Sequence, residues 1–257
     1  MNVGEFLLLA LAGVAGGLTG SIAGLASLIT YPALLATGIP PVSANVTNTV
    51  ALVLNAVGSV SASRPELAGQ RRRLLPLAVA GVLGGAAGGA LLLITPGEAF
   101  EKLVPFLIAG ASVTILVQRP PRELAAEGAA AEAAHPHRDH WGLAVGTFAI
   151  SIYGGYFGAA AGVLMLAVFL LATGETVPRG NAMRNVVLGA ANLVAAIGFA
   201  VFADVDWLAA LPLAIGLFVG GLLGPRVVRR VRGTLLRRVI AVAGLALAAQ
   251  LAWQAFR

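Results

Sequence analysis

The feature that most restricts what this chain can fold into is a glycine motif that occurs twice. Gly16-Gly17-Leu18-Thr19-Gly20-Ser21-Ile22-Ala23-Gly24 and Gly154-Gly155-Tyr156-Phe157-Gly158-Ala159-Ala160-Ala161-Gly162 both read GGxxGxxxG. Each sits in the middle of a 33-residue apolar run, at 5–37 and 141–173, with Glu5 at the start of the first as the sole charge. Glycine at this density weakens a helix and admits backbone or ligand at close range. Matching glycine breaks in two halves of an apolar chain are the best sequence pointer to a transport site at the repeat interface.

The runs need a bilayer around them. Of the 257 residues, 58% are hydrophobic and 11% charged, against about 25% charged in a soluble domain. Several uncharged stretches reach the ~20 residues that cross a membrane. The chain therefore reads as an all-α polytopic membrane protein whose surroundings are lipid. The net charge of +6 is not a nucleic-acid signal, because the arginines cluster in loops between spans, where membrane orientation explains them. There is no cysteine, which excludes disulfides, thiolate chemistry and Cys-ligated metals. Met1 to Glu5 lacks the basic start of a signal peptide and reads as part of the first span.

Taken in order, the run at 5–37 ends at Tyr31-Pro32 and Gly38-Ile39-Pro40-Pro41, and spans follow at about 42–62, 74–95 and 99–118. Residues 119–140 form a linker with an Ala/Glu-rich stretch that has room for a short helix. The pattern then restarts: the second apolar run, then spans at about 178–203, 207–225 and 239–256. Ala33-Leu34-Leu35-Ala36-Thr37-Gly38 recurs as Phe169-Leu170-Leu171-Ala172-Thr173-Gly174. Asn45, Asn48 and Asn55 align with Asn181, Asn185 and Asn192 with one gap, and Pro76, Gly84, Gly85 and Gly88 align with Pro212, Gly220, Gly221 and Gly224. The repeat is about 136 residues long. Residues 1–118 form one repeat, 119–140 a cytoplasmic linker and 141–257 the second repeat.

Lys and Arg mark cytoplasmic loops. The loop at 63–73 is basic, whereas its equivalent is Asp204-Val205-Asp206; the loop at 95–98 is acidic, whereas its equivalent carries Arg226, Arg229, Arg230, Arg232, Arg237 and Arg238. The expectation is two inverted repeats, each a glycine-broken helical hairpin followed by three transmembrane helices. Each arm of such a hairpin would be about 20–25 Å long at 1.5 Å per residue, short of a full ~30 Å core.

Irregular backbone at membrane depth is tolerated where protein or a water-filled cavity surrounds it, and helix N-termini there favour anions. The other reading of the glycines is close helix packing of the GxxxG kind. Arg184 is the one charge beyond the first turn of an expected span, and intramembrane charge points to function by default; alternatively it snorkels to the cytoplasmic surface. Asn181, Arg184, Asn185 and Asn192 share roughly one helix face, as do Asn45, Asn48, Thr49 and Asn55. One arginine with several amides suits a small oxyanion, since the guanidinium supplies charge and a planar fork and the amides further donors. The candidate substrate site is therefore Gly17, Gly20, Asn45, Asn48, Gly155, Gly158, Asn181, Arg184 and Asn185. No catalytic residue, metal site or cofactor is expected: HExxH, GxSxG and Walker motifs are missing, and His135, His137, Asp139 and His140 sit in the linker.

Several of these segments together resemble one family. The first glycine motif followed by Pro32, the segment Ala44-Asn45-Val46-Thr47-Asn48, the run Asn181-Ala182-Met183-Arg184-Asn185, Val205-Asp206-Trp207 and Gly220-Gly221-Leu222-Leu223-Gly224-Pro225-Arg226 are similar to the TauE/SafE sulfite exporter family, also called the toluenesulfonate uptake permease family. The resemblance implies a bacterial inner-membrane permease for sulfite, sulfonates or related sulfur-containing anions, and not an enzyme. The second motif departs from the family's denser Gly-x-Gly-Gly-Gly form, with Ala159, Ala160 and Ala161 in place, as do Ala23 and Leu25 in the first. Two other readings remain open at this point: a permease for a carboxylate or an inorganic ion, and a non-transporting membrane scaffold.

Overall fold

The computed structural model describes residues 1–134, 140–228 and 234–255, and they are helical almost throughout. The first half contains α1 (Val3–Ala23), α2 (Ser27–Ala36), α3 (Pro41–Ala62), the single turn α4 (Arg64–Leu67), α5 (Arg71–Ile94) and α6 (Gly97–Val117). A linker helix, α7 (Pro121–Ala134), leads to α8 (His140–Tyr156), α9 (Ala161–Thr173), α10 (Val177–Phe202), α11 (Trp207–Val228) and α12 (Thr234–Ala255). Six of the described helices are long and apolar enough to cross a bilayer, and α2 and α9 are shorter apolar helices. Many of the large apolar side chains that α1, α5, α10, α11 and α12 expose, among them Leu11, Leu83, Ile197, Leu211 and Val242, fit a lipid-facing surface. The chain is an all-helical, multi-pass membrane protein.

Local chemistry sets the boundaries. Asn2 and Glu5 close a reciprocal capping box at the start of α1. Pro41 opens α3, where its missing N–H costs nothing. The Asp206 carboxylate accepts from the Ala209 N–H at 3.0 Å and caps the start of α11. Gly24 ends α1 at φ 76°, and its N–H bonds to the Gly20 carbonyl at 2.8 Å.

Both apolar runs fold back on themselves. In the first, a Cβ at Gly20 would meet Ala26 and one at Gly16 would meet Thr30, so α2 returns along α1. In the second, Gly154 lies against Ala161 and Gly146 against Val168, so α9 returns along α8. The arms are not the equal lengths expected from the sequence. The first break falls at residues 24–26, at the last glycine of its motif, leaving arms of 21 and 10 residues. The second break spans 157–160, with arms of 17 and 13. The first motif stays helical through Ala23 because its inner glycines face another helix and lose nothing by remaining regular.

Each hairpin packs on the opposite half: α1 lies along α11 and α8 along α5, while α3 also packs on α11 and α10 on α5. Small residues make the contact. A Cβ at Gly17 would sit 2.5 Å from the Leu217 carbonyl oxygen and 2.9 Å from Gly220 Cα, and a Cβ at Gly155 would strike the Gly85 backbone. This is close backbone approach of the GxxxG kind.

The loops divide between two ends. Arg73 pairs with Glu175 at 3.2 Å, which puts the loops around 63–73 and 174–176 together. At the other end the Thr47 hydroxyl accepts from the Asp206 N–H at 3.0 Å, and Gly97 lies beside Val42. That end carries Glu98, Asp204 and Asp206, and the first carries Arg64, Arg71, Arg72 and Arg73. The linker helix α7 docks on α9 through Leu124, Leu166 and Leu170, with Gly128 against the Leu170 backbone.

Candidate functional site

The two hairpin breaks meet. Gly24 and Gly162 touch backbone to backbone, and a Cβ at Gly24 would lie 2.5 Å from the Gly162 carbonyl carbon and 2.8 Å from Arg184 Nη1. Beside this contact is a cavity of about 60 Å³, roughly the room of a few waters or one small ion. Its walls come from both breaks, including Gly20, Gly24, Ala26, Ser27, Gly158 and Gly162, and from the facing stretches of α3 and α10, including Asn55, Ser59, Arg184, Asn185 and Asn192.

Arg184 dominates the site. It is 1% exposed, so it does not snorkel to a membrane surface. Its Nη2 donates to the carbonyls of Gly20 at 2.7 Å and Ser21 at 3.1 Å, and to Asn185 Oδ1 at 2.9 Å. Nε donates to the same Asn185 oxygen at 3.3 Å. Gly20 and Ser21 lie in the last turn of α1, where the helix dipole is negative; the Gly20 carbonyl accepts from Arg184 in addition to the Gly24 N–H. Half of the guanidinium is therefore anchored. The other half is not: Nη1 has no hydrogen-bond partner among the described residues, and neither has Asn185 Nδ2. Among those residues no carboxylate lies within ion-pair distance of Arg184. The first turns of α2 and α9 also border the cavity, through Ala26–Ser27 and Gly162, and such turns carry unpaired N–H groups and positive dipole ends. The result is a small recess, of the size of one small ion, walled in part by donors and a buried guanidinium.

Of the residues expected from sequence, Gly20, Gly158, Arg184 and Asn185 line this cavity. Gly17 and Gly155 lie in the helix contacts with α11 and α5. Asn45 donates to the Tyr156 carbonyl at 2.9 Å, and Asn181 donates to the Ser21 carbonyl. Each of these equivalent asparagines thus holds the C-terminal end of the other half's first helix. Asn48 is absorbed locally: it accepts from the Thr30 hydroxyl at 2.5 Å and donates to Ser27 Oγ at 3.2 Å. Asn55 and Asn192, placed by sequence on the same two faces, do reach the cavity. Ser27, Ser59 and Gly189 also line it, and no pattern in the sequence marked them. Gly24 and Gly162 were legible as the last glycines of the two motifs. His135, His137, Asp139, Arg229, Arg230 and Arg232 lie outside the described residues, as does the side chain of His140.

Fold and site together define a multi-pass helical membrane protein built around a buried cationic recess between two broken hairpins. The family model for sulfite exporter TauE/SafE matches residues 9–251, and the chain belongs to that family of membrane transporters. It is 26% identical over 255 residues to the "Probable membrane transporter protein" of Haemophilus influenzae, covering 98% of this chain and 97% of that one. Similar relatives are the "Probable membrane transporter protein YfcA" of Escherichia coli K12, 25% identical with 91% of this chain and 85% of that one covered, and the "Probable membrane transporter protein ORF9" of a Sinorhizobium species, 26% identical with 91% and 87% covered. No solved structure matches the chain significantly.

Proposed function

We propose that this transporter moves a small sulfur-containing oxyanion, sulfite or a compact sulfonate, across the bacterial inner membrane, binding it in the recess at Arg184. The observation that carries the reading is the pair of unpartnered buried donors, Arg184 Nη1 and Asn185 Nδ2, facing a cavity of about 60 Å³. A buried cation without a counter-ion is costly, and a bound anion offsets that cost while using the free edge of the guanidinium. An inorganic cation would meet the same charge and be repelled, which argues against the cation alternative. A carboxylate shares the chemistry with sulfite, and competition separates the two.

In this mechanism Arg184 supplies charge from a position held by Gly20, Ser21 and Asn185. Asn185 presents a second donor, and Gly158 and Gly162 let the anion approach the first turn of α9. We further propose that the halves are inverted repeats and that access alternates by one moving against the other. The reciprocal packing of α1 on α11 and α8 on α5, and the separation of acidic from basic loops, support this.

The test is flux of labelled sulfite into proteoliposomes, with taurine, sulfate and lactate as competitors, for wild type and Arg184→Gln. Saturable flux blocked by sulfur anions and lost in the variant is the expected result. Flux blocked by lactate but not by sulfur anions would move the substrate to the carboxylates. No flux of any anion under either polarity of membrane potential would overturn the reading.

A further inference from the structure

The cavity lies toward one end of the molecule, and the other end is closed. Along α3, the residues from Ala44 to Asn48 are at most 1% exposed; of the α3 residues at the cavity, Asn55 and Ala56 are half-buried while Leu52 and Ser59 are buried. Asn45 and Asn55 are ten residues apart, about 15 Å along a helix.

Around the closed end stands an aromatic cluster drawn from three places: Tyr31 of α2, Phe100 in the first turn of α6, and Tyr156–Phe157 at the turn of the second hairpin. Tyr31 meets Phe157 edge-on, with centroids 5.4 Å apart at 81°. Phe100 lies 5.9 Å from Tyr156 and 6.1 Å from Phe157, both at 62°. None of the four is more than 9% exposed. Phe157 is the keystone, since it alone touches rings on both α2 and α6. It also stands in the non-helical break, next to Gly158 at φ 79°. The cluster lies at the acidic end, where Gly97 meets Val42 and Asp206 meets Thr47. The cavity lies at the basic end, where α3 runs through Ser59 into the Arg64–Arg73 loop. The first motif has Leu18 and Thr19 where the second has Tyr156 and Phe157, so the halves do not build the same seal twice.

We propose that the Tyr31–Phe100–Tyr156–Phe157 cluster is the outer gate in its closed state, and that the Arg184 cavity is entered from the cytoplasmic, basic-loop end. Opening consists of the second hairpin's turn withdrawing Phe157 from between Tyr31 and Phe100. Edge-to-face rings part without breaking a hydrogen bond of their own, and the Asn45 bond to the Tyr156 carbonyl is the polar contact that the movement has to release. The proposal rests on the transport reading but not on the identity of the anion.

The chain has no cysteine, so one introduced thiol is the sole reporter. Asn55→Cys is labelled with a membrane-impermeant maleimide in inside-out and right-side-out vesicles. The expected result is labelling about tenfold faster from the cytoplasmic face, as for a two-state equilibrium held to one side. Adding Phe157→Ala raises the outer-face rate about tenfold and leaves the cytoplasmic rate within about threefold. Because loss of a ring can also unfold a hairpin, Phe100→Leu is the second variant, with a smaller rise at the outer face. Equal labelling from both faces, faster labelling from outside, or an outer rate unmoved by both variants would overturn the proposal. Failure of the anion reading would leave these rates intact and appear instead as absent sulfite flux.

Discussion

The two halves share a scaffold and differ in what they do with it. In the first half, the Thr47–Asn48 pair of α3 is consumed by structure: Thr47 receives the Asp206 N–H, and Asn48 is closed off by Thr30 and Ser27. At the matching place in α10 stand Arg184 and Asn185, whose outer donors face a cavity. The clamps made by Asn45 and Asn181 are present in both halves, and so are the glycine contacts of α1 and α8. Helix packing is reciprocal between the halves; among the described residues the buried charged site occurs once. A duplicated scaffold can hold two opposed hairpins in register, but a single small ion needs one guanidinium, and a second buried cation would repel the first.

That comparison can be broken most forcefully at the glycines. Gly17→Val and Gly155→Val should each cost about 3 kcal/mol or more, because the new side chain meets backbone that has nowhere to go. The two losses should be similar in detergent unfolding titrations; a tolerated substitution in one half would show that the packing is not shared. Next in size is the asymmetry at the site. Arg184→Gln should lower sulfite flux about a hundredfold, whereas Asn48→Ala, measured per folded molecule, should stay within about threefold. Equal losses in both would mean that the first half also contributes to binding.

The clamps test the shared part more finely. Asn45→Ala and Asn181→Ala should each destabilise by about 1–2 kcal/mol, since each leaves a helix-terminal carbonyl, of Tyr156 or Ser21, without this donor. A thermal-shift series in detergent reads the difference. The smallest effect belongs to Glu175, whose ion pair with Arg73 has no counterpart at Ile39 in the first half. Both partners are partly exposed, so Glu175→Gln should cost about 0.5 kcal/mol and lose even that in high salt. A larger shift would mean that this contact holds the two ends of the hairpin–α5 interface rather than decorating it.

Much of this was legible before any coordinates. The helices at 41–62, 97–117 and 177–202 start and stop within about two residues of the spans read from hydropathy, proline and glycine. The linker helix α7 lies in the Ala/Glu-rich stretch that had room for one. Arg184 stood out because a lone charge in an apolar run has few bland explanations. Where reading by pattern stopped is just as specific. Gly17 and Gly20 are three residues apart in one motif, yet one packs on α11 and the other borders the cavity. Asn181 and Asn185 share a helix face, yet one clamps Ser21 and the other faces the recess.

By itself, then, the sequence determined the class of fold, the places of most of the spans and the position of the buried arginine. All of these follow from hydropathy and turn chemistry, which are local or one-dimensional. Tertiary structure alone decided which glycines carry packing and which open a cavity, and where the guanidinium of Arg184 ends. A glycine has no side chain to declare its role, so its role is whatever lies opposite it. A long flexible arginine goes where acceptors await it, and its acceptors, the Gly20 and Ser21 carbonyls, come from a helix more than 160 residues earlier in the chain.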